Sequence, residues 1–564
     1  MNHTLAALLC ARASERPGHP FVSFPDREVS YTELHDRAEA LARGLLATGL
    51  RPGGHVGILM TNCVAYLELF FAVHLAGGVA VPLNARFRHR ELAFVLAHSD
   101  IEVLVTTDLI DEYTDFTGLV GQALPELARQ PDAVADLVLP EAPRLRRIYL
   151  HGTKHAPPIR PLADLVAAGR DVDTAAVRQA WSSRTATDTA LLLYTSGTTA
   201  DPKGCEITHD ALVRSWSAYA DLVGFEPDQS MWTPCPFFHV GGIGVTVSAL
   251  VRGATMMSMS WFEPDAALAH IERRRAEHLF PAFPPLTLGL LRAPGYDPGR
   301  FGFVRTVLNV APADTQRVIQ DLLPGRTVLL TDFGMTEGAG MITATPRDAA
   351  GEDRLARNGT PLPDIEVRVT GTDDPLAVQP PGVPGEIQFR GINAFRGYYK
   401  DPAQTRATVL DGGWVRTGDL GSLDRRGQLL FLGRIKDVLK VGGENVSPLE
   451  VEALLSTHPS VHLAQVVGRP SERWAAPRCC SRPAGRSAPA PPCPRPHRKA
   501  RRQPGGNLSR SCRRSSTASR RCTRRPGCRR PPRPRWPGRP GTAGAGSGRG
   551  SAPRSQNRGA RPAG

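Results

Sequence analysis

The sequence predicts an α/β protein in three parts. A large N-terminal domain, residues 1–433, carries two parallel-rich sheets and a small β-rich portion; residues 434–474 follow, which the motif resemblance given below implies are an incomplete α+β C-terminal subdomain, and then a disordered basic tail at 475–564. Three observations predict this. Short apolar runs alternate with helical segments through the first two thirds of the chain, as parallel sheets covered by helices require. The 564 residues exceed what one small domain needs. Composition changes abruptly at Ala475.

The elements follow in order. The apolar stretch near the N-terminus (HTLAALLCARASERP) lacks a basic leader and reads as a helix. Residues 21–34 read as a hairpin running into a helix over 34–49, with Leu41, Leu45 and Leu46 on one face. After the Pro52–Gly53–Gly54 turn come a buried strand at His55–Met60, a helix at 62–76, a strand at Val79–Pro82, a helix at Arg90–Ser99 and a strand at Ile101–Thr106. Residues 110–185 are less regular and read as peripheral. Residues 189–193 (TALLL) read as a buried strand and Thr208–Leu222 as a helix capped by Thr208 or Asp210. Pro236–Gly244 (PFFHVGGIG) reads as a Gly-rich turn. Strand–helix–strand then recurs through 254–259, 266–275, 278–281, 304–310, 315–323 and 328–331. Strands at 363–370, 384–391 and 427–433 form the β-rich portion.

The formal net charge of +15 invites a nucleic-acid reading, but location removes it from the body. Of the 69 Lys and Arg, 24 lie in residues 475–564, which hold no Asp or Glu, so the rest carries 45 basic against 54 acidic side chains. No nucleic acid is expected to bind the body. Six of the ten cysteines lie in the tail; Cys10, Cys63, Cys205 and Cys235 are scattered without C-x-x-C spacing. That usage suits a reduced, cytoplasmic protein with neither a disulfide framework nor a zinc site. No stretch reaches the roughly 18 apolar residues of a membrane span.

The stretch Tyr194–Gly204 (YTSGTTADPKG) carries the densest chemistry. Gly197 and Gly204 let the backbone turn and approach closely, and Thr195, Ser196, Thr198 and Thr199 offer hydroxyls beside Lys203. Composition alone allows either a polyphosphate cradle or a Ser/Thr/Gly surface loop. The P-loop spacing G-x-x-x-x-G-K-[ST] is absent. The whole string closely resembles the phosphate loop of the adenylate-forming superfamily: acyl-CoA synthetases, aryl-CoA ligases, luciferases and adenylation domains of peptide synthetases. Ala200 stands where that family usually has Gly.

Further blocks resemble the same family in the same order. Pro236–Gly242 (PFFHVGG) resembles its second block, which implies that His239 steers the substrate carboxylate and that Phe237 or Phe238 borders the acyl tunnel. Thr331–Gly338 (TDFGMTEG) resembles the Y-G-x-T-E block. The resemblance places Asp332, Phe333, Gly334 and Met335 in the nucleotide site, with the Phe333 ring on adenine, Thr336 on the α-phosphate and Glu337 as Mg²⁺ ligand. Asn309–Pro312, with Ala311, stands where the family has its adenine wall, and Val310 is bulkier than usual there. Trp414–Gly421 (WVRTGDLG) resembles the ribose block, which assigns Asp419 to the ribose hydroxyls. Phe431–Glu452 resembles the hinge and the start of the C-terminal subdomain: Arg434 contacts ribose or phosphate, Lys436 is the hinge, and Lys440 and the Gly442–Gly443 turn face the site during thioester formation. Gly385–Gly391 (GEIQFRG) adds a fifth block.

The resemblance covers about residues 20–470. It implies an AMP-forming carboxylate–CoA ligase that uses ATP, Mg²⁺, coenzyme A and a small-molecule carboxylic acid. A non-catalytic nucleotide-binding remnant and an enzyme loading a carrier protein are the alternatives. Pocket segments 237–244, 281–288 and 308–313, narrowed by Phe238 and Phe283, permit a medium-chain or aromatic acid. From Ala475 the tail is mostly Arg, Pro, Ala, Gly, Ser and Cys, with Leu508 its one leucine and no Val, Ile or Phe, so it cannot bury a core. It reads either as a natural basic tail or as a reading-frame shift in a GC-rich gene. The second accounts for both its composition and its length. No lysine follows Lys499, so the family's C-terminal G-K lysine has no counterpart and adenylation is expected to be severely reduced. Oligomeric state stays open.

Overall fold

The structure is a computed structural model that describes residues 4–131, 136–195 and 201–437, with short pieces at 439–441, 444–446, 448, 451–452, 455, 466–469 and 478–481. The described residues all belong to one compact unit, Met1–Ser487. Among them no helix is long and apolar enough to cross a membrane.

The first helix, Leu5–Glu15, is capped by Thr4, whose side chain accepts from the Ala7 N–H. The expected hairpin forms from Pro20–Ser23 and Glu28–Ser30. It runs into the helix Tyr31–Ala47 through a reciprocal capping box between Ser30 and Glu33. Crossover helices then build two sheets. In the eight-stranded sheet, Thr189–Thr195, Val79–Pro82, His55–Leu59, Ile101–Thr107, Arg147–His151 and Arg160–Pro161 run parallel in that spatial order. The seven-stranded sheet orders Val328–Leu330, Thr306–Asn309, His278–Ala282, Ser230–Trp232, Thr255–Met257 and Pro20–Ser23 in parallel, with Glu28–Ser30 antiparallel at its edge. The helix Val64–Leu75 is apolar all round and buried at every residue. One buried cluster joins it to Val22 and Met256 of one sheet and to Val56, Ala80 and Leu191 of the other.

Two local readings are corrected. Residues 110–185 are not peripheral: Arg147–His151 pairs in register with Ile101–Thr107, and Gly44 of the second helix packs directly under the Leu165 carbonyl. Its strand signal is a three-residue apolar run between arginine-rich flanks, too short to read alone. Pro236–Gly244 is only partly a turn, because a helix runs from Val240 to Arg252. Its glycines lower helix propensity, yet a methyl group at Gly244 would overlap the Trp216 indole, so packing demands glycine there. The two ends of the phosphate stretch are strands, since Lys203–Thr208 pairs antiparallel with Thr189–Thr195. Beyond Ala475 the described residues are Arg478–Ser481, a short strand antiparallel to Val466–Arg469. A free strand edge pairs through backbone groups and tolerates an Arg-Cys-Cys-Ser partner.

The β-rich portion is a four-stranded antiparallel sheet of Ile365–Thr370, Gly385–Gly391, Val415–Leu423 and Leu429–Arg434. A smaller sheet of Asp332–Met335, Gly340–Ala344 and Thr360–Pro361 lies between it and the parallel layers in sequence.

Candidate active site

A cavity of about 690 Å³ opens where the phosphate hairpin, the Asp332–Met335 strand and the antiparallel sheet meet. Thr195 and Lys203 are register partners at the mouth of the hairpin, so both ends of the phosphate stretch reach this cavity. Ser196, Gly197, Thr198 and Thr199 lie outside the described residues. Gly204 has a structural duty: its carbonyl accepts from the Tyr399 N–H at 2.8 Å, and a Cβ there would crowd the Tyr194 ring at 3.0 Å.

Gly334, Met335, Thr336 and Glu337 form another wall. Thr336–Gly338 is a short 3-10 turn that several donors hold in place. Phe395 N–H donates to the Glu337 carbonyl at 2.9 Å, Asn393 Nδ2 to the Gly338 and Met341 carbonyls, and Trp216 Nε1 to the Ala339 carbonyl at 2.9 Å. The Glu337 carboxylate is largely buried, and Tyr398 Oη donates to its Oε1 at 2.8 Å. Lys203 Nζ sits 5.3 Å from the centre of the same Tyr398 ring. Tyr398 therefore ties the phosphate hairpin to the acidic turn.

The third wall belongs to the antiparallel sheet. Asp419 and Arg434 are register partners, and Arg434 Nε lies 2.9 Å from Asp419 Oδ1. Burial lifts the Asp419 carboxyl to about 6, with Glu337 and Glu386 adding to the rise and Arg434 and Lys436 opposing it. Buried Glu386 receives Arg416 Nε at 2.9 Å and the Gly418 N–H at 3.1 Å. Arg434 and Lys436 line the cavity, while Asp419 stands behind Arg434. Lys203, Arg416, Arg434 and Lys436 thus converge on one space, which suits a polyanion.

Other expected residues lie apart from this cavity. His239 occupies the cap position of Val240–Arg252, its ring 4.7 Å from Phe238, and burial lowers its affinity for a proton. Phe237 packs into the core against Tyr66 and Phe24. Phe283 is 56 % exposed. Ala311 follows the strand Thr306–Asn309 and is half-buried. Phe333 is buried with its ring 5.7 Å from Phe431. Asp332 is buried away from the cavity wall. Lys440 lies on a short strand, Leu439–Val441, opposite Asn445; its side chain and the Gly442–Gly443 turn are outside the described residues.

Glu386, Arg416 and Tyr398 are among the cavity residues that escaped the sequence reading. Glu386 stands in GEIQFRG, where an acid on a strand pointing inward was a usable signal. Arg416 stands inside the ribose block. Tyr398 carries no signal in a single sequence, because its role depends on the strand Gly397–Tyr398 pairing onto Lys203–Thr208.

The donor set fits magnesium in one way. No cluster of three or more His, Cys, Asp or Glu that could hold a metal exists among the described residues. Glu337 shares the cavity with Glu386, which Arg416 engages, and with Asp437, and Mg²⁺ needs only one or two carboxylates when substrate phosphates supply the rest. Removing the Tyr398 hydroxyl leaves Glu337 unoriented. Tyr398→Phe should therefore weaken magnesium-supported ATP binding about 10-fold, as read by calorimetric titration.

The buried acids also set a pH dependence. Burial raises the Asp332 carboxyl from 3.8 to about 7, so the folded chain holds that proton more tightly than the unfolded chain does. Its effect on stability is therefore most favourable below about pH 4 and is lost as pH rises through about 7. Melting temperature should fall over that window, and Asp332→Asn should flatten the fall.

Residues 9–399 match the family model described as AMP-binding enzyme. A feruloyl-CoA synthase of an Amycolatopsis species is 32 % identical over 481 residues, covering 84 % of this chain and 87 % of that protein. A sulfoacetate–CoA ligase of Cupriavidus necator is 30 % identical over 482 residues, covering 84 % and 86 %. Among solved structures, ATP-bound MatB from Rhodopseudomonas palustris is similar with a TM-score of 0.71 and 28 % identity, over 85 % of this chain and 88 % of that one.

Proposed function

We propose, from the premise that the chain belongs to the AMP-binding enzyme family, that it joins a carboxylic acid to coenzyme A in two steps at the cavity between hairpin, acidic turn and antiparallel sheet. In the first step the carboxylate attacks the α-phosphorus of ATP, giving acyl-adenylate and pyrophosphate. In the second the thiol of coenzyme A attacks the acyl carbon and AMP leaves. One observation carries this reading: Thr195, Lys203, Thr336, Glu337 and Arg434, drawn from three sequence-distant segments, line one cavity.

The chain's residues have distinct duties. Lys203 and Arg434 hold phosphate charge, Thr336 donates to the α-phosphate, and Asp419 accepts from ribose while fixing Arg434. Glu337 is the carboxylate ligand for magnesium, which when bound neutralises phosphate charge. Phe333 borders the adenine position together with Ala311. His239, held neutral by burial, faces the acid's carboxylate without a charge of its own. Lys436 is the pivot for the segment that carries Lys440. No enzyme nucleophile is needed, because positioning and charge stabilisation do the work. The two relatives above act on a phenylpropenoid acid and on a sulfonated acid by their names, so kinship leaves the acid open.

Residues 475–564 hold no G-K motif, so adenylation is slower than ATP binding would allow. Acid-dependent pyrophosphate release, run over a panel of aromatic and medium-chain acids, tests the reading. At least one acid should raise release above the acid-free rate; release that no acid changes would overturn it.

A further inference from the structure

The seven-stranded sheet carries a second charged cavity at the amino ends of its strands. His278, Thr306 and Val328 are register partners on neighbouring parallel strands, so the residues just before them are aligned as well. The Arg305 N–H donates to the Glu277 carbonyl at 2.7 Å, and the Val328 N–H donates to the Arg305 carbonyl at 2.9 Å. Arg275 caps the helix Pro264–Arg274, Arg326 lies just ahead of the strand Val328–Leu330, and Arg347 follows the strand Gly340–Ala344. Arg275, Arg305, Arg326 and Arg347 thereby line one cavity of about 440 Å³. It shares no lining residue with the catalytic cavity. Ala311 and the Asp332–Met335 strand follow the opposite, carboxyl ends of the same strands.

The four arginines are exposed, and among the described residues none supplies their guanidinium groups with a carboxylate or another hydrogen-bond acceptor. Arg275 is held with its guanidinium 4.7 Å from the centre of the Phe303 ring, and its backbone is left-handed at φ 52°, a conformation that favours glycine. Glu277 is the one acid on the wall, and its Oε2 already accepts from the Ser230 N–H at 3.0 Å. Four arginines against one glutamate leave three uncompensated positive charges. Outside the tail the chain carries 45 basic against 54 acidic side chains, so this gathering runs against the charge of the body. Like charges brought together repel unless an anion lies among them. Planar guanidinium forks match phosphate oxygens two at a time.

We propose that this cavity binds a small polyphosphate, two or more linked phosphates, at a site separate from the catalytic one. A single phosphate brings at most about two negative charges at neutral pH, fewer than the cavity offers to meet. A free polyphosphate and the phosphate chain of a nucleotide share the chemistry. The inference uses no residue of the catalytic cavity and stands apart from the ligase reading.

Hydrogen exchange read by mass spectrometry on the full chain is the test, because it locates the ligand and separates this cavity from the basic tail. Tripolyphosphate should slow exchange in peptides that contain Arg305 and Val328. In Arg305→Ala/Arg347→Ala the concentration needed should rise about 100-fold, since two charge-assisted contacts are lost. Both side chains are exposed, so this variant should fold, and its melting temperature checks that. Arg305→Lys/Arg347→Lys keeps the charge without the fork and should restore part of the affinity. Lys203→Ala, a change in the catalytic cavity, should leave the protection in place. Added salt should weaken it. ATP protecting at the same concentration as tripolyphosphate identifies the phosphate chain alone as the ligand; ATP protecting at about 10-fold lower concentration, as one stacked base would give, identifies a nucleotide. Either result upholds the site. Absence of protection in these peptides, protection that survives Arg305→Ala/Arg347→Ala, or orthophosphate acting as well as tripolyphosphate overturns the inference.

Discussion

Glu337→Gln should abolish the ability of magnesium to strengthen ATP binding and should slow acid-dependent pyrophosphate release about 100-fold. The substitution keeps the shape of the side chain and its acceptance of the Tyr398 hydroxyl, which lies 2.8 Å from Oε1. Only the charge is lost. The surrounding turn rests on Phe395, Asn393 and Trp216 rather than on the carboxylate, so the fold should persist. Titration with ATP, with and without magnesium, reads the effect directly. A variant whose ATP affinity still rises with magnesium as the wild type's does would remove Glu337 from the metal role.

The second large effect belongs to Asp419. Asp419→Ala deletes the acceptor assigned to ribose and releases Arg434 from its 2.9 Å ion pair. Two hydrogen bonds to a charged acceptor are worth about 3 kcal/mol or more together, so affinity for ATP and AMP should fall about 100-fold. Stability should not fall in parallel, since burial already raises that carboxyl to about 6 and its charged form is unfavourable near neutrality. Calorimetry with AMP separates this from the magnesium role, because AMP brings no polyphosphate. A variant that binds AMP as tightly as the wild type would contradict the assignment.

Much of the fold was legible because parallel strands buried on both faces are written as short apolar runs, such as TALLL before the phosphate stretch. What stayed hidden has local physical causes. The strand Lys203–Thr208 contains Gly204 and Glu206 and gains its identity only by pairing with Thr189–Thr195. The helix Val240–Arg252 was masked by glycines that exist because Trp216 needs the space. In the site, Lys203, Thr336, Glu337 and Arg434 were legible through motif resemblance, and the fold brings them together. Tyr398 was not legible, because a tyrosine pair in GYYKD says nothing of the carboxylate that one of them will meet. Asp332 was read with the nucleotide-binding string and is buried off the cavity wall, a placement that strand pairing sets and a single sequence does not spell out.

The central claim is that this cavity splits ATP between the α- and β-phosphates on behalf of a carboxylic acid. Its most direct test is to incubate the purified chain with ATP, magnesium, coenzyme A and a mixture of aromatic and medium-chain acids, then identify every product by mass spectrometry. AMP and a single class of acyl-CoA should appear in equal amounts, depend on added acid and disappear in Glu337→Gln. Formation of ADP in place of AMP, or AMP formation indifferent to acid, would contradict the account.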